Sequence, residues 1–242
     1  MSYFLIHEPC PSCGSRDNVA RYSDGHCFCF GCGYNEPASS DKGKMLPQPK
    51  ERSVALPGDF QRGIPPIPYA WLKKYELTPK EIWENNIGWS ESMKLLIFPC
   101  FNELGEIVVW QGRNFREGND KKYLTYGKVS EHFHILKYIS DLVPWDEEEH
   151  TITICEDIIS AIKINRIINS MPLFGSHVSN KLLNRLSKFF TNLIVWLDPD
   201  KQGREYKEII NKSRLYFTSC KCIISEKDPK EYNTTQMKEI FK

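Results

Sequence analysis

The chain has 242 residues, with 32 Lys and Arg against 31 Asp and Glu, a net charge of +1. Hydrophobic residues make up 40% and charged residues 26%, the composition of one or two globular domains with a core of their own. Collagen, a largely disordered chain and a uniformly basic nucleic-acid coat are excluded; a local basic patch balanced by acids elsewhere is not. No apolar run approaches the ~18 residues of a membrane span. Met1 to Cys10 lacks the basic and apolar regions of a secretory leader. The nine cysteines are an odd number, four of them clustered near the N-terminus. That pattern fits a reducing cytoplasm with thiols used for metal.

Residues 1–36 are rich in Cys, aromatics and Gly, and residues 37–55 are rich in Pro, Ser and Lys without periodicity. The second stretch reads as a flexible linker. From 56 to 145, strand-like runs (KLLIFPCF, EIVVWQGRNF) mix with helical ones (YAWLKKYEL, TPKEIWENN). Thr78, Pro79 and Glu81 make a helix start. From 151 the pattern is regular. TITIC predicts a strand, Asp157 to Ile168 a helix, Leu173 to Gly175 a short apolar run and Ser179 to Phe190 a helix. NLIVWL predicts a buried strand, Gly203 to Tyr216 a helix and CKCIIS a last strand. Such alternation predicts an α/β fold with a mostly parallel sheet flanked by helices. No Walker-type phosphate loop occurs, so a P-loop motor is not expected.

Two constellations carry chemistry. Cys10 with Cys13 and Cys29 with Cys32 form two CxxC pairs fifteen residues apart, within the spacing of a zinc site. Four thiolates leave no position for water, so the zinc is structural and folds a segment too small for its own core. Cys27 reads as a spectator, and His26 alone as a turn residue facing solvent. The second constellation is acidic. Glu156 follows TITIC, Asp198 and Asp200 follow NLIVWL, and Asp228 lies three residues after CKCIIS. Ligands of open α/β sheets bind beyond the carboxyl ends of the strands. Oxygen-rich clusters there suit magnesium, and a pair of metals about 4 Å apart can activate a hydroxyl and stabilise a leaving phosphate oxygen. Helix capping explains Asp157 and Asp200 individually, but not acids after three successive strands.

The residues also resemble a known family. CPSCGSRD and SDGHCFCFGCG resemble the zinc ribbon of bacteriophage primases of the primase–helicase type. ITICEDIISAIKI, IVWLDPDKQGRE and ISEKDPKEY resemble a TOPRIM domain. IFPCFNELGEIVVWQGR and KKYLTYG resemble the segment that precedes it in replicative primases. The resemblance covers nearly the whole chain except the linker. It implies a β zinc ribbon (1–36), a linker (37–55), the N-terminal subdomain of a primase core (56–145) and a TOPRIM subdomain (146–242).

The resemblance also implies roles. Cys10, Cys13, Cys29 and Cys32 bind zinc, while Asp24 and His26 help read a template start site. Glu156, Asp198, Asp200 and Asp228 are catalytic. Glu156, Asp198 and Asp228 hold magnesium, one ion or two, replaceable by manganese, with Glu156 either a ligand or a general base. Arg113, Lys122 and Tyr123 match a basic ridge beside the active site. Residues 112–128 carry Arg113, Arg116, Lys121, Lys122 and Lys128 against Glu117 and Asp120, which suits phosphate binding. Two departures stand out: Asp157 follows the TOPRIM glutamate where glycine is usual, and Ser160 replaces an aspartate often found four residues after it.

The implied activity is primer synthesis from ribonucleoside triphosphates on single-stranded DNA. A separate replicative helicase and a DNA polymerase are the expected partners, since no ring ATPase follows before Lys242. The expected location is the cytoplasm, that of the host if the protein is viral. The rival readings are a TOPRIM nuclease or topoisomerase-like enzyme, a recombination mediator, and a primase-like chain that only binds DNA or helicase. A linker of about 19 residues spans on the order of 25 Å, so the ribbon is expected to present template to its own active site or a neighbour's.

Overall fold

The computed structural model describes residues 2–38, 54–102, 104–118, 121–127, 129, 132–136 and 150–241. Most of the expected linker, together with Asp120 and Lys128, lies outside them. The chain divides into two compact units, Met1–Arg52 and Ser53–Lys242.

The first unit is a four-stranded antiparallel sheet in the order β1 (Phe4–Glu8), β2 (Val19–Tyr22), β3 (Cys27–Cys29) and β4 (Asn35–Glu36). Among the described residues its buried apolar cluster comprises Cys10, Val19, Cys27 and Cys29, with Tyr34 packed against it. So small a core cannot offset the conformational entropy of ordering the segment. Arg21 bridges the strands, 2.8 Å from Glu8 and 3.3 Å from Glu36.

The second unit contains two sheets. An antiparallel sheet runs β5 (Phe60–Gln61), β6 (Gly88–Ser90), β7 (Leu95–Phe101), β8 (Ile107–Asn114), β9 (Tyr123–Gly127). The helices α1 (Pro66–Lys74) and α2 (Pro79–Glu84) lie between β5 and β6 in the chain. Thr78 and Glu81 form a complete capping box at the start of α2, the start that the sequence predicts. The apolar runs of β7 and β8 pair over seven positions, from Leu95 with Asn114 to Phe101 with Ile107.

The other sheet is parallel throughout, in the order β11 (Ser170–Pro172), β10 (Thr151–Cys155), β12 (Asn192–Trp196), β13 (Ser219–Cys222). The helices α3 (Ile158–Ile164), α4 (Asn180–Leu186) and α5 (Arg204–Ser213) link its strands, and α6 (Thr234–Ile240) closes the chain. Side chains alternate across this sheet. Ile152, Ile154, Leu193 and Val195 pack with Leu183 and Leu186 of α4 and Ile209 of α5. Cys155 and Trp196 pack on the opposite side with Ala161 and Ile164 of α3 and Met237 of α6.

Every residue of α3 is buried. Ile158, Ile159 and Ile162 face the cluster built by α1, α2 and the antiparallel sheet, so α3 joins the two sheets of this unit. Full burial is worth roughly 1.5–3 kcal/mol for each isoleucine. The helices are shorter than the apolar periodicity suggests. The strand at 170–172 precedes the apolar run Leu173 to Gly175, because Ser170 and Met171 complete the ladder to Thr153 and Ile154. The helix α6 carries no strong apolar stripe and is not evident from the sequence; its Asn233–Gln236 capping box starts it.

Candidate active site

In the first unit the CxxC pairs form two matching turns. Gly14 and Gly33, each directly after the second cysteine of its pair, have φ of +70° and +75°, a region open to glycine at little cost. Their amides donate to Cys10 O at 3.0 Å and Cys29 O at 2.9 Å. Cys10 Sγ lies 3.7 Å from Cys32 Sγ, and Cys13 Sγ 3.9 Å from Cys29 Sγ. All four sulfurs fall within 4.8 Å of one another. Tetrahedral zinc with ~2.3 Å bonds requires sulfurs about 3.8 Å apart, so the donor set fits zinc. Hydrogen bonding with Ser15 pulls the Cys13 thiol down to about 6, toward the thiolate that a metal requires. Cys27, although buried, is outside this group.

Asp24 and His26 come together between β2 and β3. His26 Nδ1 lies 2.5 Å from Asp24 Oδ1, and its ring stacks on Tyr22 at 4.1 Å. Phe28 and Phe30 are exposed on the same unit, edge to face at 5.3 Å.

In the second unit the chain leaves β10 toward β11 and leaves β12 in the other direction, toward β13. The carboxyl ends of β10 and β12 are therefore the topological switch point, where open α/β sheets bind ligands. Glu156 directly follows Cys155, and Asp198 lies two residues past Trp196, the cross-strand partner of Cys155. Leu197 donates its amide to the Tyr206 hydroxyl at 2.9 Å, and that hydroxyl donates to Ile223 O at 2.7 Å. Gln202 bonds Ser225 through its amide at 3.1 Å. These bonds tie the loops that carry Asp198 and Asp228.

Asp157 caps α3, accepting from the Ile159 and Ser160 amides at 2.9 and 3.0 Å and from the Ser160 hydroxyl at 2.8 Å. The two departures from the family pattern are thus partners in one helix cap. Asp200 makes no cap; its carboxylate pairs with Lys201 at 2.6 Å and is largely exposed.

A lysine that the sequence reading passes over sits among the acids. Lys230 Nζ lies 2.7 Å from Asp228 Oδ2, 3.1 Å from Asp157 Oδ2 and 3.5 Å from Asp198 Oδ2. Burial works against its charge, but Asp157, Asp228 and Asp198 outweigh burial and hold its pKa well above the usual lysine value. The available signal was KDPK, a lysine two residues past Asp228 across a proline turn. Burial pushes the Asp198 carboxyl up to about 7, with Asp157, Asp228 and Glu156 adding to the rise against Lys230. Burial, then the Asp200 charge, also raises Glu156.

Glu156 Oε2 and Asp198 Oδ1 are buried without a hydrogen-bond partner. A buried carboxylate oxygen without a donor is costly, and a divalent cation satisfies such a pair, so these two oxygens fit magnesium. Among the described residues no three acids come within metal-ligand spacing of one another as the four cysteines do.

Arg113 on β8 and Tyr123 on β9 are cross-strand partners. The Arg113 guanidinium lies 5.3 Å from the Trp71 ring centre and 5.0 Å from that of Tyr123. Burial and then the Asp157 charge push Tyr123 up to about 12. Arg113 and Tyr123 thus border the acidic cluster. Lys122, directly before β9, is exposed, and its carbonyl accepts from the Asn114 amide at 2.9 Å.

No family model matches the chain. A segment of 45 residues, 19% of the chain, is 49% identical to a DNA helicase/primase of Enterobacteria phage T3, of which it covers only 8%. The primase fragment of the bacteriophage T7 primase-helicase protein aligns over 99% of this chain and 98% of its own, with a TM-score of 0.53 at 16% identity. The zinc-binding and RNA polymerase domains of the Aquifex aeolicus primase align over 99% and 78%, with a TM-score of 0.62 at 15% identity. A DnaG primase catalytic domain bound to ssDNA aligns over 73% and 69%, with a TM-score of 0.54 at 14% identity. The fold is that of a primase zinc-binding region followed by a primase catalytic core.

Proposed function

We propose that the chain is a DNA primase that synthesises short RNA primers from ribonucleoside triphosphates on single-stranded DNA. The observation that carries this reading is the acidic cluster at the switch point of the parallel sheet, bordered by Arg113 and Tyr123, within a fold shared with primases. Metal-dependent phosphoryl transfer needs little covalent chemistry from a protein. It needs positioning and a charge arrangement that stabilises the developing oxyanions.

The residues divide the work. Glu156 and Asp198 hold magnesium, with Asp200 and Asp228 alongside. When bound, magnesium, or manganese in its place, would neutralise phosphate charge and favour the ionised primer hydroxyl. Glu156 Oε2 and Asp198 Oδ1, fixed at the ends of adjacent strands, orient that charge. Arg113, flanked by two rings, and the exposed Lys122, directly before β9, hold template or nucleotide phosphates. Zinc folds the first unit. There the Asp24–His26 pair and the exposed Phe28 and Phe30 offer hydrogen-bonding edges and stacking faces to template bases.

We assign 1–36 to the ribbon, 37–55 to a linker, 56–145 to the N-terminal part of the core and 146–242 to the TOPRIM part. The reading places the protein in the cytoplasm beside a separate helicase and a DNA polymerase. The test is synthesis in vitro with labelled ribonucleotides, magnesium and single-stranded DNA of varied sequence. Short RNA products that vanish with Asp198→Asn, and lose template selectivity with Cys10→Ser, support the reading. Nicked template without product refutes it in favour of a nuclease, and intact template without product in favour of a DNA-binding role.

A further inference from the structure

We propose that Lys230 is a built-in cation of the active site, which leaves room for a single divalent ion, held between Glu156 and Asp198. The inference deepens the metal-dependent reading above and rests on it.

A protonated amine carries three donors and no acceptor. Lys230 donates to Asp157 Oδ2 at 3.1 Å, and its ammonium pairs with Asp228 Oδ2 at 2.7 Å and Asp198 Oδ2 at 3.5 Å. Its side chain is only 16% exposed, so this is no surface lysine sampling solvent. Its backbone is held as well. Lys163, itself 2% exposed, donates from Nζ to the Lys230 carbonyl at 2.8 Å and pairs with Glu76 at 3.4 Å. The turn that carries Asp228 and Lys230 is thereby fixed to α3, whose N-cap is Asp157.

The ammonium splits the cluster into two halves. On one side Asp157, Asp228 and one oxygen of Asp198 share the ammonium. On the other, Asp198 Oδ1 and Glu156 Oε2 are buried with no partner, with Asp200 and Lys201 close enough to shift Glu156. A divalent ion is drawn to the unpartnered oxygens, because in the other half the ammonium already occupies the carboxylate oxygens that an ion would need. Asp228 therefore serves Lys230 and is not a metal ligand. The lysine supplies, without exchange, one positive charge at the place where a second ion would otherwise sit. Lys230 is a positioning residue: it holds Asp157 and Asp228 apart from the metal and leaves the other oxygen of Asp198 to the ion.

The test counts bound manganese by electron paramagnetic resonance in the full chain with its zinc retained. The wild type is expected to bind one Mn2+, and Asp228→Asn to bind one as well. Lys230→Met leaves three carboxylates unmatched and is expected to bind two. Two ions in the wild type overturn the inference. So does a folded Lys230→Met that still binds one, or an Asp228→Asn that binds none. Should Lys230→Met fail to fold, Lys230→Gln makes the same comparison, and the wild-type count decides by itself. Absence of primer synthesis alongside a count of one would sink the primase reading and leave this inference standing.

Discussion

Removing the Arg166 guanidinium tests how the second unit is held together. Arg166, just beyond α3, donates from Nε to Glu81 Oε1 at 2.6 Å and from an Nη to Glu81 Oε2 at 2.9 Å. It also donates to the Glu76 carbonyl at 2.9 Å and to the Thr234 hydroxyl at 3.1 Å. One side chain thus ties α2, α3 and α6 together. The two partners are 18% and 17% exposed. Breaking a fully buried pair by removing one member costs ~3–5 kcal/mol, and the residual exposure sets the lower end here, about 3 kcal/mol. In a unit of this size 1 kcal/mol moves Tm by ~2–4 °C, so Arg166→Met should lower Tm by roughly 6–12 °C.

All six tryptophans lie in residues 71–196. Tryptophan fluorescence therefore reports the second unit without interference from the first. Glu81→Met should cost a similar amount plus about 1 kcal/mol for the lost capping box. The double variant should recover at least about 2 kcal/mol relative to the sum of the singles. A Tm change under about 2 °C for Arg166→Met, or strict additivity in the double variant, refutes the account of these elements as joined through one charge pair.

Other outcomes follow from the same structure. Chelating zinc should unfold the first unit alone, seen as loss of amide dispersion for residues 2–38 with the tryptophan transition unmoved; dispersion that survives chelation contradicts the four-thiolate site. Gly127 has φ of +93°, and an added Cβ would lie 2.2 Å from the Val108 carbonyl oxygen, so Gly127→Ala should cost about 2–5 kcal/mol by urea denaturation. Burial, with His134 and Arg185 nearby, pushes His132 down to about 3. The unfolded chain takes up that proton below pH ~6.5 while the folded chain does not, so stability is present above ~6.5 and lost as pH falls toward 3. At ~1.4 kcal/mol per unit the loss reaches about 2–3 kcal/mol by pH ~4.5, and His132→Phe should flatten that acid limb.

The sequence carried the chemistry that is local in the chain. The CxxC spacing placed four sulfurs within 4.8 Å, because each knuckle is a turn closed by its own glycine. The apolar runs of β10 and β12 placed Glu156 and Asp198 at strand ends, because a buried parallel strand must end where its apolar run ends. The box at Thr78 and Glu81 started α2 for the same local reason. Only the tertiary structure decided what distant segments do to one another. Lys230 joins Asp157 from 73 residues away, and Arg166 joins Glu81 from 85 residues away; no pattern in the chain announces such pairs. The order β11-β10-β12-β13 made Glu156 and Asp198 neighbours at a switch point. The reason is physical: spacing fixes a side chain's direction along its own strand or turn, while charge pairing depends on which strands the folded core brings side by side.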